Sequence, residues 1–296
     1  MKYGKVEDPT GIDFRIPADD KANWDVLKSV PKKGLEAYIG CAKWNKTDLK
    51  GFYPKGTKDE LAHYSRQFNS IEMNSVFYNM PKAEQVVKWK NKTPDGFKFF
   101  PKVTQSISHM RRLDNVDELT AIYCDAISHF EEKLGMCFLQ LHENFGIKEL
   151  KKLKVFVENF PKVIPLAVEV RGLEWFSDKV TWNGFCDFLE EHKTTNIIVD
   201  TAGRRDMLHM RLTTPTAFIR FVGCNVDEID RKRIDDWVDR IEKWCKEGLQ
   251  HLYFFVHQNV EVSSPLFSAY LTEKLNERLN LHLHVPQMAG EQGKLF

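Results

Sequence analysis

The sequence predicts a parallel α/β barrel, on three grounds. At 296 residues the chain is long for an ordinary domain but suits one closed barrel, which needs about 250 residues. Eight short strand-like segments alternate with stretches of helical periodicity, the pattern of a parallel sheet with crossover helices. A polar or ionisable residue follows every strand-like segment, at the end where such barrels carry their working groups. Together these favour a TIM-type β/α barrel, a closed parallel sheet with outer helices, over an open doubly wound sheet. No Gly-x-Gly-x-x-Gly or phosphate-loop pattern supports the nucleotide site usual in the open sheet.

Residues 1–34 are polar and broken by Pro9, Gly11, Pro17 and Pro31, so they are expected to form an extension packed on the main domain. The barrel domain is expected over 35–282 and a tail over 283–296. Glu36 to Gly40 is the first strand, and Asp59 to Phe68 a helix with Leu61, Tyr64 and Phe68 at helical spacing. Ser70 to Asn74 is the second strand. A helix over Ala83 to Lys92 ends before the turn signal Thr93-Pro94-Asp95-Gly96, and Phe97 to Val103 is the third strand. A helix over Val116 to Leu134 precedes strand four, Met136 to Leu141. Lys148 to Phe160 is helical, with Pro161 and Pro165 separating it from strand five, Leu166 to Val170. Thr181 to His192 forms a helix before strand six, Asn196 to Val199. After a polar link, strand seven is Phe218 to Val222. Asp230 to Lys246 carries Ile234, Trp237, Val238, Ile241 and Trp244 at spacings of three and four, an amphipathic helix. Leu252 to Val256 and a helix over Pro265 to Leu279 complete the count.

Composition narrows the partners. Lys plus Arg (43) and Asp plus Glu (42) nearly balance, so no whole-protein field draws in nucleic acid or an anionic membrane; nucleic-acid binding stays open only as a local property. Six scattered cysteines without a Cys-x-x-Cys pair suggest reduced thiols. Met1-Lys2-Tyr3-Gly4-Lys5 lacks a signal's apolar core, and no run approaches the roughly 18 apolar residues of a membrane span. The expected setting is cytoplasmic.

The strand ends give the site list. They carry Cys41, Lys43 and Trp44; Glu72 and Asn74; Lys102; Gln140 and His142; Glu169 and Arg171; Asp200; Arg220; and His257 and Asn259. Glu72 and Asn74 share one face because side chains two apart in a strand point the same way. Glu72 and Glu169 are the candidate acid and base: two carboxylates in one pocket push their pKa values apart, so one holds a proton that the other accepts. Lys102 and Asp200 join them as catalytic candidates. The competing reading is an ion-pair lattice, with Glu72 neutralised by Lys43 or Lys102 and Glu169 by Arg171 or Arg220. Lys43, Lys102, Arg171, Arg220 and the loop residue His109 outnumber the carboxylates, which favours a small anionic substrate. Trp44, Phe77, Tyr78, Trp175 and Phe176 either line the pocket or pack loops on the rim. Asn74, Gln140 and His257 complete the expected substrate-binding set. No resident cofactor is expected. A divalent metal on Glu72, Glu169, Asp200, His109 and His257 lacks any local ligand spacing. Cys41 is read as structural, since no motif ties a base to it.

The segments Tyr38-Ile39-Gly40-Cys41-Ala42-Lys43-Trp44, Phe68-Asn69-Ser70-Ile71-Glu72-Met73-Asn74-Ser75-Val76-Phe77-Tyr78, Thr93-Pro94-Asp95-Gly96-Phe97-Lys98-Phe99 and Val168-Glu169-Val170-Arg171 resemble the YecE-like family, domain of unknown function 72 (DUF72). Lys102, His109, Gln140, Trp175 and Asp200 add to the match, which spans about 36–275. The resemblance implies a β/α barrel and no established reaction. The family usually has Thr-Ser-Gly-Trp where this chain has Cys41-Ala42-Lys43-Trp44, Pro-Pro where it has His142-Glu143, and Arg-x-His-Gly around Arg220. Roles implied by the resemblance therefore rest on Glu72, Asn74, Lys102, Glu169, Arg171 and Asp200.

Gln292-x-x-Leu295-Phe296 resembles the peptide by which many bacterial replication and repair proteins dock on the sliding clamp; the other reading packs Leu295 and Phe296 on the barrel. Three functions follow in order. The first is a barrel enzyme, a hydrolase, lyase or isomerase, acting on a small anionic or sugar-like substrate. The second is an accessory protein of DNA metabolism that binds the clamp through its tail. The third is a metal-assisted phosphodiesterase.

Overall fold

The protein is described by a computed structural model covering residues 4–290. Its strands are β1 (Glu36–Cys41), β2 (Ser70–Met73), β3 (Lys98–Pro101), β4 (Cys137–Gln140), β5 (Leu166–Glu169), β6 (Thr195–Asp200), β7 (Thr216–Gly223) and β8 (His251–Gln258). Its helices are α1 (Asn23–Lys28), α2 (Glu60–Gln67), α3 (Ser75–Tyr78), α4 (Ala83–Asn91), α5 (Asp117–Ser128), α6 (Leu150–Asn159), α7 (Glu174–Ser177), α8 (Lys179–Glu191), α9 (Asp227–Glu247) and α10 (Ser264–Leu279). All ladders are parallel. Six strands form one curled sheet in the order β1-β8-β7-β6-β5-β4, and β2 pairs with β3 in a second. Single parallel bridges, Phe99 to Leu134 and Lys102 to Phe138, join the β3 side to β4.

Between β1 and β2 side chains replace ladder bonds. Asn69 accepts from Ile39 N (2.9 Å) and donates to Ala37 O (2.8 Å). The Tyr64 hydroxyl accepts from Cys41 N (2.8 Å) and donates to Ser70 O (3.0 Å). Gly40 makes this approach possible, since a Cβ there would lie 2.4 Å from Ser70 O. A backbone amide and carbonyl buried without a ladder partner need such substitutes.

Strand alternation separates two cores. Outward residues such as Ile71, Leu139 and Val168, or Ile198, Phe221 and Phe254, pack under the helices. Phe100, Phe138, Ala167, Ile197, Val199, Phe218 and Phe255 form the inner core. Phe100 on β3 meets Phe218 on β7 at 5.9 Å and Phe255 on β8 at 4.9 Å. Strands that are not neighbours in a ladder touch this way only when the sheet curls around its concave face.

Helix starts follow ordinary capping: Asp59 accepts from Ala62 N and Asp178 from Val180 N and Thr181 N. On α9, Ile234, Trp237, Val238, Ile241 and Trp244 are buried, and Gly248 at φ +126° ends the helix. The single helix expected over Val116 to Leu134 is two elements: α5 stops at Ser128, and a 3₁₀ turn follows over Glu131–Lys133. Glu131 at φ +52° breaks the helix, and the buried Lys133 pins the turn by donating to Thr93 O, Lys90 O and Thr93 Oγ1. The short helix α3 was not expected.

The extension lies along the β6, β7 and α9 side. Gly4 O accepts from Gly203 N, Asn23 bridges Met210 O and Leu212 N, and Asp19 accepts from Arg240, Lys243 and Trp244 Nε1. The six cysteines are unpaired. Among the described residues no helix is long and apolar enough to cross a membrane. Gln292, Leu295 and Phe296, the expected docking peptide, lie outside the described residues.

Candidate functional site

Above the inner aromatic core the same alternation turns a layer of polar side chains into the concavity: Glu72 from β2, Gln140 from β4, Glu169 from β5, Arg220 from β7 and His257 from β8, with Lys102 one residue past β3. Each sits two residues beyond an inward apolar or small residue of its strand, for example Gln140 after Phe138, Glu169 after Ala167 and Arg220 after Phe218. All are buried.

Arg220 is the centre. Its Nε and Nη2 donate to Glu72 Oε2 (2.8 Å) and Oε1 (2.9 Å), and its Nη1 donates to Glu169 Oε2 (2.6 Å). This is a forked, charge-assisted arrangement that Lys cannot reproduce. His257 Nε2 lies 3.0 Å from Glu72 Oε2 and donates to it, and Asn74 Nδ2 donates to Oε1 at 2.8 Å. Glu169 Oε1 accepts from Arg171 Nε and from Gln140 Nε2 at 3.1 Å. Gln140 Oε1 in turn accepts from Lys102 Nζ at 2.7 Å. Six strands thus feed one continuous hydrogen-bonded chain from Lys102 to His257.

The electrostatics correct the expected acid-base pair. Burial alone would raise both carboxyls, but the charge of Arg220, with His257 at Glu72, holds Glu72 well below the usual carboxylate range. Burial is likewise overcome at Glu169, where Arg171 and then Arg220 bring the pKa down to about 2. The two carboxylates do not push each other's pKa values apart, because a guanidinium stands between them; both stay ionised. The lattice reading of these residues describes the geometry, with Arg220 and not Lys43 or Lys102 as the cation on Glu72. The group poised near neutrality is Lys102. Burial, then Arg220 and Arg171, pull its ammonium down to about 7.

Phe77 on α3 lies under Lys102, whose Nζ is 3.9 Å from the ring centroid. The Phe77 ring also meets His109 edge-on at 4.9 Å, and His109 meets His142 at 5.3 Å. His109 rides on a π-helical turn over Ser106–Met110, where Ser108 Oγ contacts its Nδ1 at 2.9 Å. Burial and then the Lys102 charge lower this imidazole to about 4. Tyr78 stands beside Phe77 at 5.1 Å and is exposed.

Four expected site residues are elsewhere. Asp200 follows Ile198 on the outward face of β6, under α9, where it accepts from Trp237 Nε1 (2.8 Å) and pairs with Arg233 (2.8 Å) and Arg205. It is turned away from Glu72 by the period of two, and its low pKa, won against burial by Arg233 and Arg205, belongs to a structural ion pair. Trp175 is a core residue: its Nε1 donates to Phe145 O (2.9 Å) and its ring packs on Phe185. Lys43 pairs with Asp48 at 3.1 Å, and Trp44 lies against Trp89 of α4, since the chain after β1 has already turned toward the outer helices. Asp200 on the outer face also breaks up the expected metal donors. Among the described residues no three His, Cys, Asp or Glu side chains converge as ligands. The Cys41 thiol is pushed up by burial, beside Ser268 Oγ.

His142, on the list of strand ends but given no binding role there, meets the site through His109. The available signal was its place two residues past Gln140, on the same face.

Comparison with known proteins agrees with this architecture. UPF0759 protein YecE of Escherichia coli (strain K12) is 28% identical over 280 residues, 88% of this chain and 99% of that protein. UPF0759 protein YunF of Bacillus subtilis (strain 168) is 29% identical over 149 residues, 47% of this chain and 52% of its own. The crystal structure of a DUF72 family protein from Enterococcus faecalis V583 superposes with a TM-score of 0.66 at 19% identity, covering 85% of this chain and 98% of that one. One from Thermotoga maritima MSB8 gives 0.63 at 22% identity, covering 83% and 99%. The model described as "Protein of unknown function DUF72" matches residues 38–290, and the chain belongs to that family.

Proposed function

We propose that this chain is an enzyme whose site lies at the carboxyl mouth of one interrupted eight-stranded barrel and takes a small anionic substrate, with Lys102 carrying the proton. The reading of the two sheets as one barrel is supported by the Asn69 and Tyr64 bonds at one seam and the Phe99 and Lys102 bridges at the other. The observation that carries the functional reading is the charge balance of the polar layer. Among the described residues the carboxylates of the layer, Glu72 and Glu169, are matched by Arg220 and Arg171, so a protonated Lys102 adds a positive charge beyond them. A buried positive excess at a barrel mouth favours an anion. Because the anion stabilises the ammonium, binding draws a proton onto Lys102 near neutral pH. The Glu72-Arg220-Glu169 frame is fixed charge that orients the substrate and does not exchange protons itself.

Calorimetric titration of the protein with small carboxylates and with inorganic phosphate, in buffers of different ionisation enthalpy, tests this. Binding accompanied by proton uptake, and weakening as pH rises above about 7, is the expected result. Absence of anion binding, or binding with no proton uptake, would overturn the reading.

A further inference from the structure

Among the described residues two lysines are buried, and they differ in what holds them. Lys133 donates to three oxygens, Thr93 O, Lys90 O and Thr93 Oγ1, which satisfies all three ammonium protons. Lys102 is equally buried, yet among the described residues its Nζ has one hydrogen-bond acceptor, Gln140 Oε1 at 2.7 Å, and no carboxylate within ion-pair distance. One N–H suffices for that bond. The Gln140 amide cannot turn to offer another arrangement, because its Nε2 is committed to Glu169 Oε1, an acceptor only. Beyond that bond, Nζ faces the Phe77 ring at 3.9 Å, and the repelling charges of Arg220 and Arg171 outweigh the attraction of Glu169 and Glu72. Such surroundings suit a neutral amine whose direction is fixed by one hydrogen bond. A desolvated lysine beside other cations is the setting in which amines act as nucleophiles toward carbonyls.

We propose that Lys102 is a nucleophile that forms an imine with the carbonyl carbon of a small 2-oxo acid, whose carboxylate is received by Arg171; this rests on the anionic-substrate reading above. With its pKa at about 7, the Lys102 ammonium that anion binding favours first releases a proton to solvent; the nitrogen lone pair then attacks the carbonyl carbon, a C–N bond forms, and the carbonyl π pair moves to oxygen. One proton passes from the nitrogen to that oxygen, a second comes from solvent, the C–O bond breaks and water leaves, and the nitrogen keeps its remaining proton as an iminium. No oxidant or reductant takes part. Arg171 is suited to the carboxylate because it is the more exposed of the two site arginines and presents a planar donor set. Phe77 would pack against the substrate's carbon atoms.

The test uses the full chain with pyruvate and, separately, glyoxylate, in the presence of sodium cyanoborohydride, which reduces an imine to a stable secondary amine. Intact mass and peptide mapping locate the adduct. The expected result is modification concentrated on Lys102, suppressed by excess lactate, which has the carboxylate but no carbonyl, and lost in Lys102→Arg. Modification spread over surface lysines, or none at Lys102, overturns the inference. Because mapping is done on the wild-type chain, it decides the matter even where Lys102→Arg fails to fold. Lactate binding by calorimetry without any Lys102 adduct would sink the imine and leave the anion site standing; no binding and no adduct would sink both.

Discussion

Replacing Lys102 with Met exposes the free energy stored in the site. Met keeps the unbranched stem over Phe77 and removes the amine. In the folded protein the ammonium titrates at about 7 instead of its ordinary 10.5, so folding must strip a proton that the unfolded chain keeps. With the folded pKa depressed, the unfolded state binds more protons between those two values, and wild-type stability rises with pH across that window. At 1.36 kcal/mol per pKa unit, the penalty at neutral pH is about 4 kcal/mol, falling to about 1 kcal/mol at about pH 9.5. Against it stands the lost hydrogen bond to Gln140, whose buried oxygen is left unpaired at a cost of about 1–3 kcal/mol. Lys102→Met is therefore expected to be more stable than wild type at neutral pH by roughly 1–3 kcal/mol, with the difference shrinking by about 3 kcal/mol by about pH 9.5. Urea denaturation of both proteins in a pH series measures it. A difference that does not change with pH would refute the assignment of Lys102 as the site's depressed amine.

Glu169 carries the opposite sign. Its folded pKa of about 2 lies below the ordinary 4.5, so its contribution is present above the ordinary value and is lost as pH falls through the folded one. The stability difference between wild type and Glu169→Gln should shrink by about 3 kcal/mol between about pH 5 and about pH 2, read by acid-dependent urea melts. Asn69→Ala removes both bonds that span the β1–β2 seam and should cost roughly 2 kcal/mol in chemical denaturation, with faster amide exchange at Ile39. Asp200→Asn should lower stability by roughly 2 kcal/mol, since Arg233 keeps Asp230 but loses one charge partner. It should leave small-anion affinity by calorimetry unchanged, whereas a loss of binding would return Asp200 to the site.

The strand and helix positions were legible because both periodicities are strong here. Runs such as Phe138-Leu139-Gln140 and Phe218-Ile219-Arg220 place an inward polar residue in the carboxyl half of a strand, and α9 repeats its apolar residues every three or four positions. The same parity, applied to β6 from Ile197, would have put Asp200 outside. It was missed because a strand buried on both faces shows no apolar-polar alternation from which to read direction. Trp175 and Trp44 were ambiguous for another reason: an aromatic after a strand has the same appearance whether it lines a pocket or closes the core beneath a loop.

The sequence by itself determined the order of elements, the family and the set of strand ends from which a site had to be drawn, since each depends on local pattern. Only the tertiary structure decided which of those ends meet and what their charges do. A pKa depends on what stands within a few ångströms, and no spacing along the chain says that Arg220 lies between Glu72 and Glu169, separated from them by 148 and 51 residues. That single insertion keeps both carboxylates ionised and, with Arg171, presses Lys102 toward neutrality. On that ground the proposed proton carrier is the lysine and not the acids.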